Sequence, residues 1–586
     1  MDSIELAVSC LSYSCSSKEE RAGFLNKSKP DQRVYAIIAA VMTLPEIIFE
    51  IGFRHPVAVP LATLCCLLIF YELLRSKRPF EVWTKSPCLP MVGSRPGELF
   101  TRWRAIWRNT MDVRAACDEA YTYKDQACIM PILDIGDVVI LPSSEAQWFA
   151  DVPQSRMSAH QNQMNSFQLL HTIEDPRLVR EEHPIHEVLI AGILTRETKS
   201  LLPSMIRSMS REVDVVLGCQ PGATTKVTLM TGIPQIISRM VNCAFLGPSL
   251  SSTPGIIEAA MNNAQGIGMS CLILRCSPQV LRPILGPLLT WPHKIESRKF
   301  YKMVGPEVRQ RLAIAMSQGG YGETREKSQK GDYMQWLIEA AVESGDPYMM
   351  KPETIMGRIL LVNFVAVHVS SMVIVNCILD LAASEPTNID SLRKEIVAGL
   401  EQSSSKFNKQ ALNLMPKLDS TFRESQRLHS INTVASPRPV IDPEGITTPS
   451  GVHIPYGMTA GVLSYPVLHD PATYQDPMSF KPFRFAESKA LAGSNSESLR
   501  QNWISVTSTY TPWGTVKHAC PGRFFAANML KVALAYILLH YDIVPITERP
   551  QSVLISVAII PSGKAALEFQ RREVPLYDWD TVELSN

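Results

Sequence analysis

Hydrophobic positions change their pattern four times along the chain. From residue 1 to 33 they are sparse and unperiodic among Ser, Cys and mixed charges, which predicts a polar, poorly ordered tail. Two nearly continuous apolar runs follow, Val34–Phe53 and Val57–Leu74. The second holds a single charge, Glu72, near its end, with Pro60 near its start, where a helix tolerates proline. Its 18 residues would rise ~27 Å as a helix, enough to cross a hydrocarbon core. Arg75, Lys77 and Arg78 come directly after, which places the following residues on the cytoplasmic side. Pro45, Glu46 and Glu50 interrupt Val34–Phe53, so that run reads as a second span or as an interfacial segment. Residues 34–78 are thus expected to form a membrane anchor, and residues 79–97, with Pro79, Pro87, Pro90 and Pro96, a semi-rigid linker.

From residue 98 to 586 the apolar spacing is mostly helical, broken by short alternating stretches at Ile132–Leu141, Val434–Ile441 and Val452–Val462. Long helices with small sheets define a mainly α domain of the α+β class. Pro234–Phe245, Asp332–Val342 and a proline-broken Ile267–Leu289 read as packing helices. Ile355–Ala383 is the longest apolar helix, and Leu418–His429 is an amphipathic one. Composition agrees with a globular body, at 46% apolar and 19% charged residues. A net charge of +1 gives no basic excess, so nucleic acid is not an expected partner. The 13 cysteines show neither CxxC pairs nor regular spacing, which argues for reduced thiols and against zinc.

Three places carry candidate chemistry. Trp513–Gly514–Thr515–Val516–Lys517–His518–Ala519–Cys520–Pro521–Gly522–Arg523 sets one cysteine in a tight loop before an apolar helix. Helix-end N–H groups there favour a thiolate, a soft metal ligand, although a buried core cysteine has the same local sequence. Gly522 allows close approach to the backbone. The long helix holds His368, Ser370 and Ser371 at its centre, where a histidine is either a satisfied core residue or a catalytic one. Glu424 and Arg427, three apart, meet on one helix face, and Arg484, wedged in Phe483–Arg484–Phe485, calls for a carboxylate partner.

Taken in this order, these residues resemble the cytochrome P-450 heme-thiolate monooxygenases of the fungal microsomal type. Trp513-Gly514-x-x-x-His518-x-Cys520-Pro521-Gly522-Arg523 is similar to the family's cysteine loop. Glu424-x-x-Arg427 is similar to its helix pair, and Pro482-Phe483-Arg484-Phe485 to the motif whose arginine completes a three-residue cluster; the cysteine follows 93 residues after Arg427. The resemblance implies heme b with Cys520 as axial ligand, Arg438 and His518 at the propionates, and Trp513, Gly514 and Gly522 shaping the loop. It also implies a structural Glu424–Arg427–Arg484 cluster and a distal helix where His368 or Ser370 moves protons to O2. Electrons would come from an NADPH-cytochrome reductase docking near Lys517 and Arg523. The enzyme would sit in the endoplasmic reticulum membrane, facing the cytosol and oxidising a terpenoid, indole-diterpene or meroterpenoid intermediate of secondary metabolism. Val516 stands where the family has glycine, so the loop must turn differently, and Val369 replaces the distal threonine. No Trp-x-x-x-Arg is present; His183 and His186 occupy that region. These departures keep open a heme-thiolate isomerase or dehydratase that needs no reductase, or a membrane-tethered heme protein without turnover.

Overall fold

The computed structural model describes residues 89–179, 185–317, 331–403, 407–493 and 499–577. All belong to the second of two compact units, Glu81–Asn586. The apolar runs 34–53 and 57–74 and His183 lie outside the described residues.

The principal helices are α1 (Thr101–Met111), α2 (Thr195–Leu217), α3 (Leu229–Leu246), α4 (Ile256–Cys276) and α5 (Arg282–Ser317). They continue with α6 (Tyr333–Glu343), α7 (Pro352–Ala382), α8 (Pro386–Gln402), α9 (Pro416–Leu428) and α10 (Arg523–His540). The larger sheet orders β1 (Cys128–Ile132), β2 (Gly136–Leu141), then β5 (Thr459–Leu463) and β4 (Val434–Pro439) at its edge; β2 and β5 run parallel. A second sheet joins β3 (Thr224–Thr228) to β7 (Ala566–Arg571) and β6 (Tyr541–Ile543). Helices dominate and the sheets are small, as the apolar spacing predicts.

Helix α7 is the axle, with α3, α4, α5, α9 and α10 packed on it. Pro352 opens it at the first helical position, where the missing N–H is harmless, and Glu353 lies in the first turn, favourable to the helix dipole. Its neighbours approach closely: a Cβ on Gly357 would lie 2.7 Å from Leu178 Cδ1. Both α7 and α10 are long and apolar enough to cross a membrane, yet most of each is buried against other helices, so they serve here as core. The expected Ile267–Leu289 helix is instead the end of α4 and the start of α5, parted at Ser277–Leu281. Pro287, Pro292 and Pro306 lie inside α5 without ending it, because packing along a long helix can offset the hydrogen bonds each proline forfeits. Ser371 Oγ in α7 donates to the Val367 carbonyl at 2.7 Å, and the helix continues through it.

Near the end of α7, Asp380 is buried and accepts from Ser425 Oγ (2.6 Å) and His429 Nε2 (2.9 Å), while Arg549 Nε donates from the C-terminal segment (2.5 Å). Burial pushes this carboxyl up, but His429, Arg549 and Ser425 pull it below the ordinary Asp range. A carboxyl depressed in the fold contributes stability above its unfolded pKa and loses it as pH falls through the folded value. We expect Asp380→Ala to cost on the order of 3–5 kcal/mol in urea unfolding at neutral pH, and its stability to fall less than the native protein's when acidified below about pH 4.

Candidate active site

The cysteine loop closes on itself through the Cys520 N–H, which donates to the Trp513 carbonyl at 2.7 Å. Gly514 makes that turn possible at φ +100°, and a Cβ there would stand 2.5 Å from the His518 carbonyl oxygen. Val516 begins a 3-10 turn, Val516–His518, closed by His518 N–H to Thr515 O at 2.8 Å. Helical dihedrals suit a β-branched residue, so this loop turns without a second glycine. Helix α10 starts at Arg523 with Gly522 as its cap, which leaves Pro521 just outside the helix rather than in its first turn. A Cβ on Gly522 would find only ordinary contact, 3.5 Å from Ile190.

The Cys520 side chain keeps accessible surface. Burial raises the thiol's pKa; the N–H groups of Gly522 and Arg523 and the Arg523 charge act the other way without cancelling it. The loop therefore aims its N–H groups at the sulfur as expected, but a metal must displace the proton to produce the thiolate.

What holds the loop runs back to α9. Trp513 Nε1 donates to the Trp503 carbonyl (2.7 Å), and the two indoles lie 5.4 Å apart. Trp503 stacks on Phe422 at 4.5 Å and donates to Gln426 Oε1 at 2.6 Å. Two residues beyond Phe422, Glu424 takes a bidentate pair from Arg427 (Nε 2.8 Å, Nη2 2.9 Å) and accepts from Arg484 Nε (3.1 Å), with Glu424 and Arg427 fully buried. Arg427 Nη1 also donates to the Leu468 and Pro477 carbonyls, each at 2.7 Å. The three charges that the sequence singles out do meet. The aromatic column between them and the cysteine is not legible in the sequence, because Trp503 meets Phe422 and Trp513 only through contacts between separate segments.

Arg438 and His518 also meet, Nη1 standing 3.0 Å from Nε2. A bulge in β4 between Ala435 and Arg438 leaves Ser436 at φ +46°, its Oγ accepting from Thr515 N–H at 3.2 Å. The sheet edge is thereby tied to the cysteine loop. Arg438 is fully buried and donates to the Phe149 and Val152 carbonyls; burial lowers its pKa to about 10. His518 Nδ1 faces Gln154 Nε2 at 3.0 Å, Gln154 Oε1 accepts from the Ala159 N–H, and the His518 ring also bonds to the Ala150 carbonyl. What is left over is Arg438 Nε, buried and without an acceptor among the described residues, and a propionate carboxylate is the group it fits. Cys520, Arg438 and His518 thus suit a heme, by axial sulfur and by propionate contact.

Along α7 between Thr354 and Ala382 the exposed side chains are Val365 and Val369, with Ala366, His368 and Met372 partly so. One apolar stripe of the core helix is therefore left uncovered by the described residues. Ser370 is buried off this stripe, and Val369 takes the open place. His368 packs edge-on to Phe364 (5.6 Å) and bonds to the Ala264 carbonyl; its Nε2 has no partner among the described residues, and burial lowers its pKa. His186 is committed elsewhere: Nδ1 lies 3.1 Å from Arg358 Nη1, and burial, then the Arg358 charge, depresses its pKa to about 3. Lys517 is exposed and paired with Asp151 (2.6 Å), whereas Arg523 folds back onto the Cys520 carbonyl (2.9 Å).

Two outcomes follow from this geometry. Glu424→Ala should strand Arg427 in the dry interior, at a cost of about 3–5 kcal/mol. Its purified protein should hold far less heme than the native chain by absorbance per polypeptide; native occupancy would count against the cluster's role. His186 must stay neutral in the fold, so its contribution is present above its unfolded pKa and is lost as pH falls. Between pH 7 and pH 5 it should remove about 2 kcal/mol, a slope that His186→Gln should lack in denaturant titrations at the two pH values.

The family model for cytochrome P450 matches residues 260–568. Cytochrome P450 monooxygenase 71 of Postia placenta is 30% identical over 501 residues, spanning 84% of this chain and 95% of the relative. Cytochrome P450 monooxygenase gloP of Glarea lozoyensis is 26% identical over 496 residues, 81% and 90% of the two chains. Among solved structures, a cyanobacterial CYP120A1 with retinoic acid bound superposes with a TM-score of 0.57 at 16% identity, over 82% of this chain and 99% of that one, a likeness of fold. With the cysteine loop, the buried charge cluster and the Arg438–His518 pair in place, the chain belongs to the cytochrome P450 family and is a heme-thiolate monooxygenase.

Proposed function

We propose that this monooxygenase hydroxylates or further oxidises a largely apolar polycycle, a terpenoid, indole-diterpene or meroterpenoid intermediate of fungal secondary metabolism. The apolar stripe of Val365, Ala366, Val369 and Met372 on α7 carries this reading: a cleft wall without charge or hydroxyl accepts a hydrocarbon scaffold and holds it by burial. The heme, held by an axial thiolate, supplies oxygen activation, the sulfur's electron donation favouring O–O cleavage. His368, partly exposed on this stripe, is the proton-handling group: one nitrogen is fixed by the Ala264 carbonyl, and Nε2, buried and unpartnered among the described residues, is left to accept a proton.

Membrane residence fits two exposed features of the catalytic unit. On α1 and just before it, Phe100, Trp103, Trp107 and Met111 are exposed at helical spacing. On α5, Ile284, Leu288, Trp291 and Ile295 repeat the pattern. Stripes of this kind lie at a bilayer interface, as an endoplasmic reticulum enzyme anchored by residues 34–78 requires. An NADPH-cytochrome reductase on the same membrane would supply electrons, with Lys517 the exposed cation beside the cysteine loop.

Reconstituted with reductase, NADPH and extracts of candidate scaffolds, the enzyme should form oxygenated products containing label from 18O2; NADPH-independent products without label would sink the reading. His368→Phe should raise the share of electrons lost as peroxide by about tenfold or more, while Ser370→Ala, turned off the cleft, should leave coupling unchanged. The opposite result would return the proton path to Ser370.

A further inference from the structure

Away from the heme cleft, a cavity of about 290 Å³ opens between the short helix Leu169–Thr172 and α5, lined by His171, Glu174, Thr290, Trp291, Lys294 and Arg298, among others. Its walls are fixed. His293 Nε2 bonds to the Thr172 carbonyl at 2.9 Å and Asn263 Nδ2 donates to the His293 carbonyl at 3.0 Å, tying the short helix, α4 and α5 together. Gly286 lets the His171 ring lie against α5, since a Cβ there would be 2.9 Å from Nδ1.

Two polar groups in this wall lack a partner among the described residues. Thr290 is fully buried and its Oγ1 meets no hydrogen-bond partner there. Lys294 is half-buried and makes no ion pair with a carboxylate among the described residues, because Glu174 is engaged by Arg298 (3.4 Å) and by Ser297 Oγ (2.9 Å). A half-buried ammonium next to an orphaned hydroxyl is an arrangement completed by an anion with several acceptor oxygens. Burial lowers the Lys294 pKa and, with Arg282 and Lys294 nearby, that of His171, so Lys294 and Arg298 supply the positive charge. The mouth is apolar: Trp291 and Leu170 flank it, and Leu288 and Ile284 continue the exposed stripe along α5.

We propose that this cavity binds the phosphate of an anionic phospholipid, with Lys294 and Thr290 on the headgroup and the Ile284–Leu288–Trp291 stripe along the acyl chains. The charge left over in the pocket selects a phosphate monoester over a zwitterionic headgroup, and the adjoining stripe selects a lipid over free phosphate. The proposal rests on the membrane residence argued above, but it can fail separately. Native mass spectrometry of the full-length holoprotein in detergent, titrated with dioctanoyl phosphatidate, dioctanoyl phosphatidylcholine or inorganic phosphate, reads the site without a bilayer. One phosphatidate should bind, about tenfold or more tighter than either other probe. Lys294→Met should weaken it about tenfold, Thr290→Val by a smaller factor, and Lys294→Arg should retain it, all with heme content unchanged. Native affinity in Lys294→Met, or equal affinity for phosphatidylcholine, would overturn the proposal. Inorganic phosphate binding as tightly as phosphatidate would overturn the lipid assignment. Resistance of the native chain to alkaline extraction from microsomes tests membrane residence alone, whatever the titration gives.

Discussion

One carboxylate without access to water sets the constraint on which the rest depends. A carboxylate buried without partners is too costly to keep. Here Arg427 grips both Glu424 oxygens and Arg484 shares one of them. The second cation would leave the cluster positively charged; the Leu468, Pro477 and Gln475 carbonyls that receive the remaining guanidinium N–H groups spread that charge. The irregular segment between β5 and Arg484, which has little regular hydrogen bonding of its own, is thereby given a single course. From α9 the constraint passes through Phe422, Trp503 and Trp513 to the carbonyl that receives the Cys520 N–H. A sulfur ligand on a loop needs such a chain of rigid contacts to be held to the precision that ligation requires.

Much of this was legible in the sequence, for reasons that differ from residue to residue. α7 and α9 announce themselves by apolar period and by flanking prolines. The meeting of Glu424 with Arg427 follows from helix geometry, whereas Arg484, 57 residues beyond Arg427, was placed by resemblance and by the improbability of a solvated arginine between two phenylalanines. Trp503, Gln426 and Tyr510 carry no periodic signal, since their roles arise from contacts between segments far apart in the chain. Ser436 is a case of its own: a serine at positive φ leaves no mark in sequence, yet it ties β4 to the cysteine loop. Ser370 and His186 show the converse. Residue type and spacing make each a candidate for chemistry, and burial off the cleft stripe in one case and Arg358 in the other assign them differently.

The two sides of the site obey opposite rules. Behind the sulfur, polar groups are dense and nearly all matched, and the matching fixes geometry. On the α7 side, Val365 and Val369 offer shape without direction; under the function proposed above, recognition there would rest on volume and on exclusion of water.

The unpartnered guanidinium N–H of Arg438 reaches beyond ligand binding. A protein that keeps a buried donor waiting is completed by its prosthetic group, and the group's affinity becomes part of the free energy that keeps the chain folded. Polypeptide made faster than heme is supplied lacks that contribution and is therefore the less stable species. In a cell making this enzyme, the amount that persists is set by porphyrin supply as much as by translation.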